Sequence, residues 1–429
     1  MITIDQPRIE NTGGKVYLKS YINDEGENRS LDLWYAVDQE YGSYLVKETA
    51  DAFLVPMLLR AVVSGQSIKV NAPLSEQLFH NVNNSVLYAL KTAWNQAPES
   101  FKRVRTHKEL NRDIALNGGG IFDLGVKCQK TIAVDFGGKG VATGCSLGVD
   151  SFSVIKKYLL DNKDLPSYRL THFACFNVGA FGTYNTDDTR NTFLRAVEST
   201  KAFAKELNMP VVSVDSNVHE FYPELDFNWS HTFLNMGCAL SLQKLWKRYL
   251  YASSVDLSRF EFNIAFSGHY EPFLLPHLST ESTGLLAVDA NMSRSDKVEY
   301  IMNEKIVQEN LNVCLKEQFS NNGTSDYDDN GKLNCGHCSK CLRTMLQLDI
   351  YGVLDKYSGI FNLKDWEAIK PKYLFKVVSE KETNMMFNDL ASTITDDYVD
   401  TRNLYKQVQM LKAKQQIISI IRKIIHPLK

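Results

Sequence analysis

The sequence predicts an α/β fold: a doubly wound parallel sheet, preceded by an N-terminal α+β domain and followed by a helical C-terminal tail. Three observations carry this expectation. Between 116 and 350, apolar β-prone runs alternate with helix-length stretches. Four of these runs end in small or polar residues, at Cys145-Ser146, Asn177-Val178-Gly179, Asp215-Ser216-Asn217 and Ser267-Gly268-His269. On either side the pattern changes, to short alternating runs before and to mainly helical sequence after.

Taken in order, residues 1–115 read as the α+β domain. Runs such as 15–22 and 31–37 alternate polar and apolar residues between turns at 11–14 and 23–28, the pattern of antiparallel strands. Residues 49–64 read as a helix despite Pro56, ended by Gly65, and 74–94 as a second helix. In 116–350, strands are expected at 140–145, 170–177, 211–215 and 262–267, with helices at 151–160, 186–207 and 232–253. Connections of this length imply a parallel sheet, whose ligands bind outside the carboxyl ends of the strands. Residues 351–429 read as helix. From Lys406 on there is no acidic residue, and Ile417, Ile420, Ile421, Ile424 and Leu428 share one helical face. That tail fits a helix docked on the body or on a second subunit, or a basic amphipathic helix on an anionic surface, membrane or RNA.

Composition bounds the function classes. The chain has 429 residues, with 44% apolar and 23% charged, ordinary values for a globular protein of two or three domains. A net charge of −2 gives no electrostatic argument for nucleic-acid binding. No apolar run reaches the roughly 18 residues of a membrane span, and the first residues lack a signal-peptide pattern, so a cytoplasmic location is expected.

The run Ser146-Leu147-Gly148-Val149-Asp150-Ser151 lies between an expected strand and an expected helix. Backbone N–H groups at such a turn point at a ligand, and the helix dipole favours a phosphate. The serine hydroxyls add donors, and Asp150 could hold a metal bridging phosphates. The turn is neither G-x-x-x-x-G-K-[ST] nor G-x-G-x-x-G. The bland alternative is an ordinary β–α turn capped by Ser and Asp.

Of eight cysteines, Cys128, Cys145, Cys175 and Cys238 lie in apolar segments and read as small buried side chains. Cys335, Cys338 and Cys341 form C-x2-C-x2-C, with Cys314 upstream. Four thiols fit a closed, structural Zn²⁺ site, with His337 pointing outward. An iron–sulfur cluster is a rival, though Met345 stands where the bacterial run has its fourth Cys. A redox thiol pair is another.

The turn resembles the S-G-G-x-D-S signature of the PP-loop ATP pyrophosphatases, with Leu147 where the family usually has Gly. With the cysteine run it resembles the 7-cyano-7-deazaguanine synthase branch of that family. The matching residues are Ser146, Gly148, Asp150, Ser151, Cys335, Gly336, Cys338, Cys341 and Arg343, covering 140–345. The resemblance implies ATP, Mg²⁺ and Zn²⁺, and the adenylation of a small-molecule substrate. Pyrophosphate leaves, and a nitrogen nucleophile then displaces AMP. Ser146 and Ser151 would serve as phosphate donors, Asp150 as Mg²⁺ ligand or loop organiser, and Asn177 would meet adenine. His269, Glu281, Arg294 and Lys297 are candidate substrate contacts, each with a plain surface or structural alternative. Two other functions stay open. One is sulfur transfer to a nucleobase or tRNA through a cysteine such as Cys145. The other is a degenerate nucleotide-binding protein without turnover, which Leu147 would explain.

Overall fold

The computed structural model describes residues 1–97, 124–182, 186–222, 227–314 and 331–425, with side chains to 413. The expected 115/116 boundary, the polar 320–330 segment and the apolar stripe of the tail lie outside these limits. The chain divides into two compact units, 1–291 and 292–429.

The first unit is built on one mixed sheet of eleven strands. They are β1 (Ile2–Ile4), β2 (Arg8–Thr12), β3 (Lys15–Asp24), β4 (Arg29–Asp38), β5 (Ile68–Ser75), β6 (Val126–Ile132), β7 (Gly140–Gly144), β8 (His172–Phe176), β9 (Val211–Ser216), β10 (Trp246–Ala252) and β11 (Gly284–Val288). The spatial order is β11-β10-β7-β8-β9-β4-β3-β1-β5-β6, with β2 also on β3. From β11 to β9 all neighbours are parallel. The chain runs outward from β7 through β8 to β9, then returns to the other side of β7 with β10 and β11. The end of β7 is therefore a topological switch point, where open α/β sheets bind ligands.

An antiparallel step joins this half to the N-terminal strands, at Tyr35↔Ser216 and Ala36↔Asp215. Asn217 reinforces it, accepting from the Trp34 amide at 2.9 Å and donating to the Asp32 carbonyl at 2.8 Å. Helices α1 (Asp51–Ser64), α2 (Glu76–Asn81), α3 (Leu87–Gln96), α4 (Val149–Ile155), α5 (Asp187–Glu206), α6 (Phe227–Ser241) and α7 (Glu271–His277) complete the unit. A π-turn, Val82–Val86, makes α2 and α3 nearly continuous, and another, Lys156–Leu160, extends α4.

Every residue of α1 but Ser64 is buried, as a helix apolar all round must be. Pro56 removes the donor for the Ala52 carbonyl. The Tyr35 hydroxyl replaces it at 2.7 Å, and the Tyr222 hydroxyl donates to the Pro56 carbonyl. Burial pushes the Tyr35 phenol well up, so it stays a donor. Gly237 of α6 faces the same spot: a Cβ there would lie 2.5 Å from Pro56 Cγ and 2.6 Å from Tyr35 Oη.

The first three strands of the site half fall where the sequence places them, within two residues. The fourth does not. Residues 262–267 form no strand, and β10 lies inside the stretch expected as helix 232–253. Leu242, Leu245, Trp246, Tyr249 and Leu250 recur at helical spacing, yet the helix stops at Ser241. Buried on both faces, this strand shows no alternation to distinguish it from a buried helix. The short β11 is additional. Cys145, Cys175 and Cys238 are buried, whereas Cys128, expected inside, is half-exposed on β6.

The second unit contains α8 (Arg294–Ile301), α9 (Lys305–Asn310), α10 (Ser339–Ile350), α11 (Trp366–Glu380), α12 (Met385–Ser392) and α13 (Thr401–Ile425). A reciprocal cap between Ser293 and Asp296 starts α8. No helix among the described residues is long and apolar enough to cross a membrane.

The Tyr35 contact generates a first prediction. Tyr35→Phe leaves a buried carbonyl without a donor and should cost about 1–3 kcal/mol in urea unfolding. Gly237→Ala should cost about 1–3 kcal/mol by overpacking. Midpoints within error of wild type for both variants would show that this contact holds nothing together.

Candidate functional site

The turn after β7 is held at both ends. On the entry side the Cys145 amide donates to the Ala174 carbonyl, and the Cys145 carbonyl accepts from Thr200 Oγ1 at 3.1 Å. On the exit side Ser153 Oγ (2.6 Å) and Lys157 Nζ (3.0 Å), the latter beyond the end of α4, bind the carboxylate of Asp289 just past β11. Burial lowers the Lys157 pKa, but the Asp289 carboxylate raises it more, and the net direction is up.

Within the turn Leu147 has φ +57°, a left-handed conformation that an L side chain adopts at a cost. Its side chain is 8% exposed. Gly148 caps α4, and its N–H reaches Ser146 Oγ at a long 3.4 Å. Ser146 is exposed, while Gly148 and Asp150 are half-buried. Ser151 is buried, and its hydroxyl donates inward to the Gly148 carbonyl at 2.9 Å. The parts of the turn left at least partly exposed are thus Ser146, Gly148 and Asp150, with Val149 buried.

At the neighbouring strand end, Asn177 Nδ2 donates to Asp215 at 2.7 Å. On the other side of β7, the end of β10 carries a polar cluster that sequence reasoning missed apart from Ser267. Thr232 Oγ1 donates to the fully buried Glu271 at 3.0 Å and meets Ser267 Oγ at 2.8 Å. The Ser254 amide donates to the other Glu271 oxygen at 3.1 Å. His231 Nδ1 lies 3.0 Å from Tyr251 Oη. The Tyr251 phenol is pushed well up, first by burial, then by Glu271 and Tyr249, and in lesser part by Asp150. Reading β10 as helix hid these residues, because their strand end was not placed beside the others.

The remaining candidates are dispersed. His269 Nδ1 contacts the Arg259 carbonyl at 2.8 Å. Glu281 precedes β11, at the opposite end of the sheet from the turn, and accepts from the Gln77 amide at 2.8 Å. It lines a cavity of about 710 Å³ with Glu76, His80 and Asn84. Arg294 and the buried Lys297 lie on α8 in the second unit.

The cysteine site is in that unit. The sulfurs of Cys314, Cys335, Cys338 and Cys341 all lie within 4.8 Å of one another and could hold a metal ion such as zinc. Cys335 Sγ accepts from the His337 and Cys338 amides at 3.5 and 3.4 Å, and Cys338 Sγ from the Cys341 amide at 3.5 Å. Gly336, at φ +76°, is obligatory, since a Cβ would sit 2.1 Å from the Asn362 carbonyl. His337 stands outside the ligand set, 3.7 Å from Asp365. Buried Asn334 aligns Cys314 with the loop, accepting from the Val313 amide at 2.8 Å and donating to the Leu311 carbonyl at 2.7 Å. Hydrogen bonding with Cys314 and Cys338, then burial, pushes the Cys341 thiol far up in the metal-free state.

Comparison with known proteins finds no matching family model, no similar curated protein and no similar solved structure.

Metal analysis of purified protein is expected to find about one ion per chain bound by four thiolates. Asn334→Ala, which removes no ligand, should weaken metal retention about 10–100-fold in a competition with a chromophoric chelator. Unchanged retention would mean that Cys314 needs no such alignment.

Proposed function

We propose that the protein is an ATP-dependent, AMP-forming enzyme that adenylates a small-molecule substrate for attack by a nitrogen nucleophile, with Zn²⁺ at the four cysteines in a structural role. One observation carries this reading: the serine- and glycine-containing turn stands at the switch point of a parallel sheet, with Ser146 exposed and Gly148 and Asp150 partly so.

In this reading a substrate oxygen attacks the α-phosphorus of ATP, and the bond to the bridging oxygen breaks. Pyrophosphate departs, and the nitrogen nucleophile later displaces AMP. Negative charge gathers on the phosphate oxygens in the first step. Fixed donors at the turn, the Gly148 amide and the Ser146 hydroxyl, are suited to receive it. Mg²⁺ would neutralise further charge, and Asp150 would be the carboxylate that holds it. The long Gly148-to-Ser146 contact is readily exchanged for one to a phosphate oxygen. Ser151 serves differently from the family pattern, by bracing the turn from inside. Four sulfurs within 4.8 Å of one another suit a single ion rather than a larger iron–sulfur cluster, and zinc is the usual ion of a closed four-thiol site.

Sulfur transfer through Cys145 is poorly supported. The thiol is buried and its pKa pushed far up by that burial, the reverse of a reactive cysteine.

ATP turnover with and without ammonia, scored for AMP plus pyrophosphate against ADP plus phosphate, tests the reading. Pyrophosphate is expected, and Asp150→Ala should cut its release about a hundredfold or more. ADP as product, or full turnover in Asp150→Ala, would overturn the mechanism. Cys145→Ala should retain turnover. Leu147→Gly relieves about 1–2 kcal/mol of left-handed strain but loses a buried side chain, so its net stability should fall. Turnover appearing only in Leu147→Gly would instead identify the wild type as a binding protein.

A further inference from the structure

Two buried side chains at neighbouring strand ends hold polar atoms with no hydrogen-bond partner among the described residues. One is Asn177 Oδ1, after β8, and the other is the ring of His219, at both nitrogens, after β9. Their residues are only 1% and 4% exposed. Buried polar atoms are nearly always bonded, so two orphans on adjacent parallel strands imply something that completes them. The surrounding backbone is fixed. Asn177 Nδ2 is committed to Asp215, which also settles which way the amide faces. Asn217, two residues before His219, is clipped to β4. Gly179, at φ +107°, is pressed on His219: a Cβ would lie 3.1 Å from His219 Cβ and 3.3 Å from the Phe227 ring.

The chemistry of the pair is specific. Burial pushes His219 down to about 4, so its ring is neutral at physiological pH and offers one N–H and one lone pair. Asn177 has only its carbonyl oxygen left to give. The pair therefore presents two acceptors, one donor and no positive charge. A phosphate or carboxylate, which only accepts, could take the one N–H but would leave both acceptors unmet. Its complement is a neutral group bearing N–H donors and an acceptor.

We propose that Asn177 and His219 are specificity-determining residues that read the neutral, N–H-bearing edge of a ligand, an amino-substituted nitrogen heterocycle or a carboxamide. This deepens the nucleotide reading and rests on it for the phosphate end, which stays at the Ser146 turn. The edge belongs either to the base of the nucleotide or to the acceptor substrate.

The test follows the His219 ring ¹⁵N resonances in the full-length protein, assigned by their loss in His219→Phe. Adenosine, guanosine, nicotinamide and tripolyphosphate are titrated separately. At least one neutral probe should move the resonances, and tripolyphosphate should not. A response to adenosine assigns the edge to the nucleotide. A response only to guanosine or nicotinamide assigns it to the acceptor. His219→Phe should weaken the responsive probe about 3–10-fold, the worth of one net hydrogen bond, without lowering the unfolding midpoint, because it deletes two unbonded polar atoms. His219→Gln, which keeps a donor and an acceptor, should recover part of the affinity.

The proposal falls if no neutral probe moves the ring, or if tripolyphosphate moves it equally. It falls too if His219→Phe lowers the unfolding midpoint and leaves probe affinity intact. Failure of the nucleotide reading is separate: neither ATP nor tripolyphosphate would bind in equilibrium dialysis, while a neutral probe still moved His219.

Discussion

The bond from the Tyr35 hydroxyl to the Ala52 carbonyl is the constraint on which the first unit depends. A proline in a helix frees a carbonyl, and in a helix buried on every side no water can take it up. The donor must come from another element, and β4 supplies it. Tyr35 is also the register partner of Ser216 on β9, so the residue that repairs α1 aligns the two halves of the sheet. Gly237 follows from the same geometry, because only a bare Cα lets α6 approach there. The N-terminal strands are therefore a wall of the site half rather than an appendage. They hold the end of β9, where Asp215, Asn217 and His219 sit.

The turn at 146–151 shows a related trade. Leu147 in the left-handed region costs about 1–2 kcal/mol, which burial of its side chain offsets. A glycine would avoid the cost and lose the anchor. The Cys145 and Asp289 attachments hold the turn at both ends, and it is such surroundings that keep a strained residue in place. A rigid set of donors suits the stabilisation of developing charge, which is effective only when the groups are in place beforehand.

The strands that frame the turn were legible because each joins an apolar run to a polar end: β7, β8 and β9 lie where the residues placed them. The four-thiol site was legible because its spacing leaves few other geometries, and the structure brings the four sulfurs together. Periodicity failed at β10, whose apolar residues fit a helix as well as a doubly covered strand, and the Thr232–Glu271–Tyr251 cluster was lost with it. Asn334 and His219 were not readable at all. Each is one ordinary polar residue in sequence, and its importance comes from burial and from partners distant along the chain.

The cysteine site bears on which chemistry belongs to which unit. Cys341 is fully buried and Cys335 nearly so, out of reach of a bulky oxidant, and all four sulfurs converge on one centre rather than pairing. The Cys335 and Cys341 sulfurs stand 3.9 Å apart, far too distant for a disulfide as placed. Cys338 caps α10, its sulfur accepting from the Cys341 amide. The Cys335 sulfur accepts from two amides. Four sulfurs that surround one cation leave no coordination position for a substrate. The proposed chemistry at the turn belongs to the strand ends of the first unit, and the four-thiol site, which could hold a metal, belongs to the second.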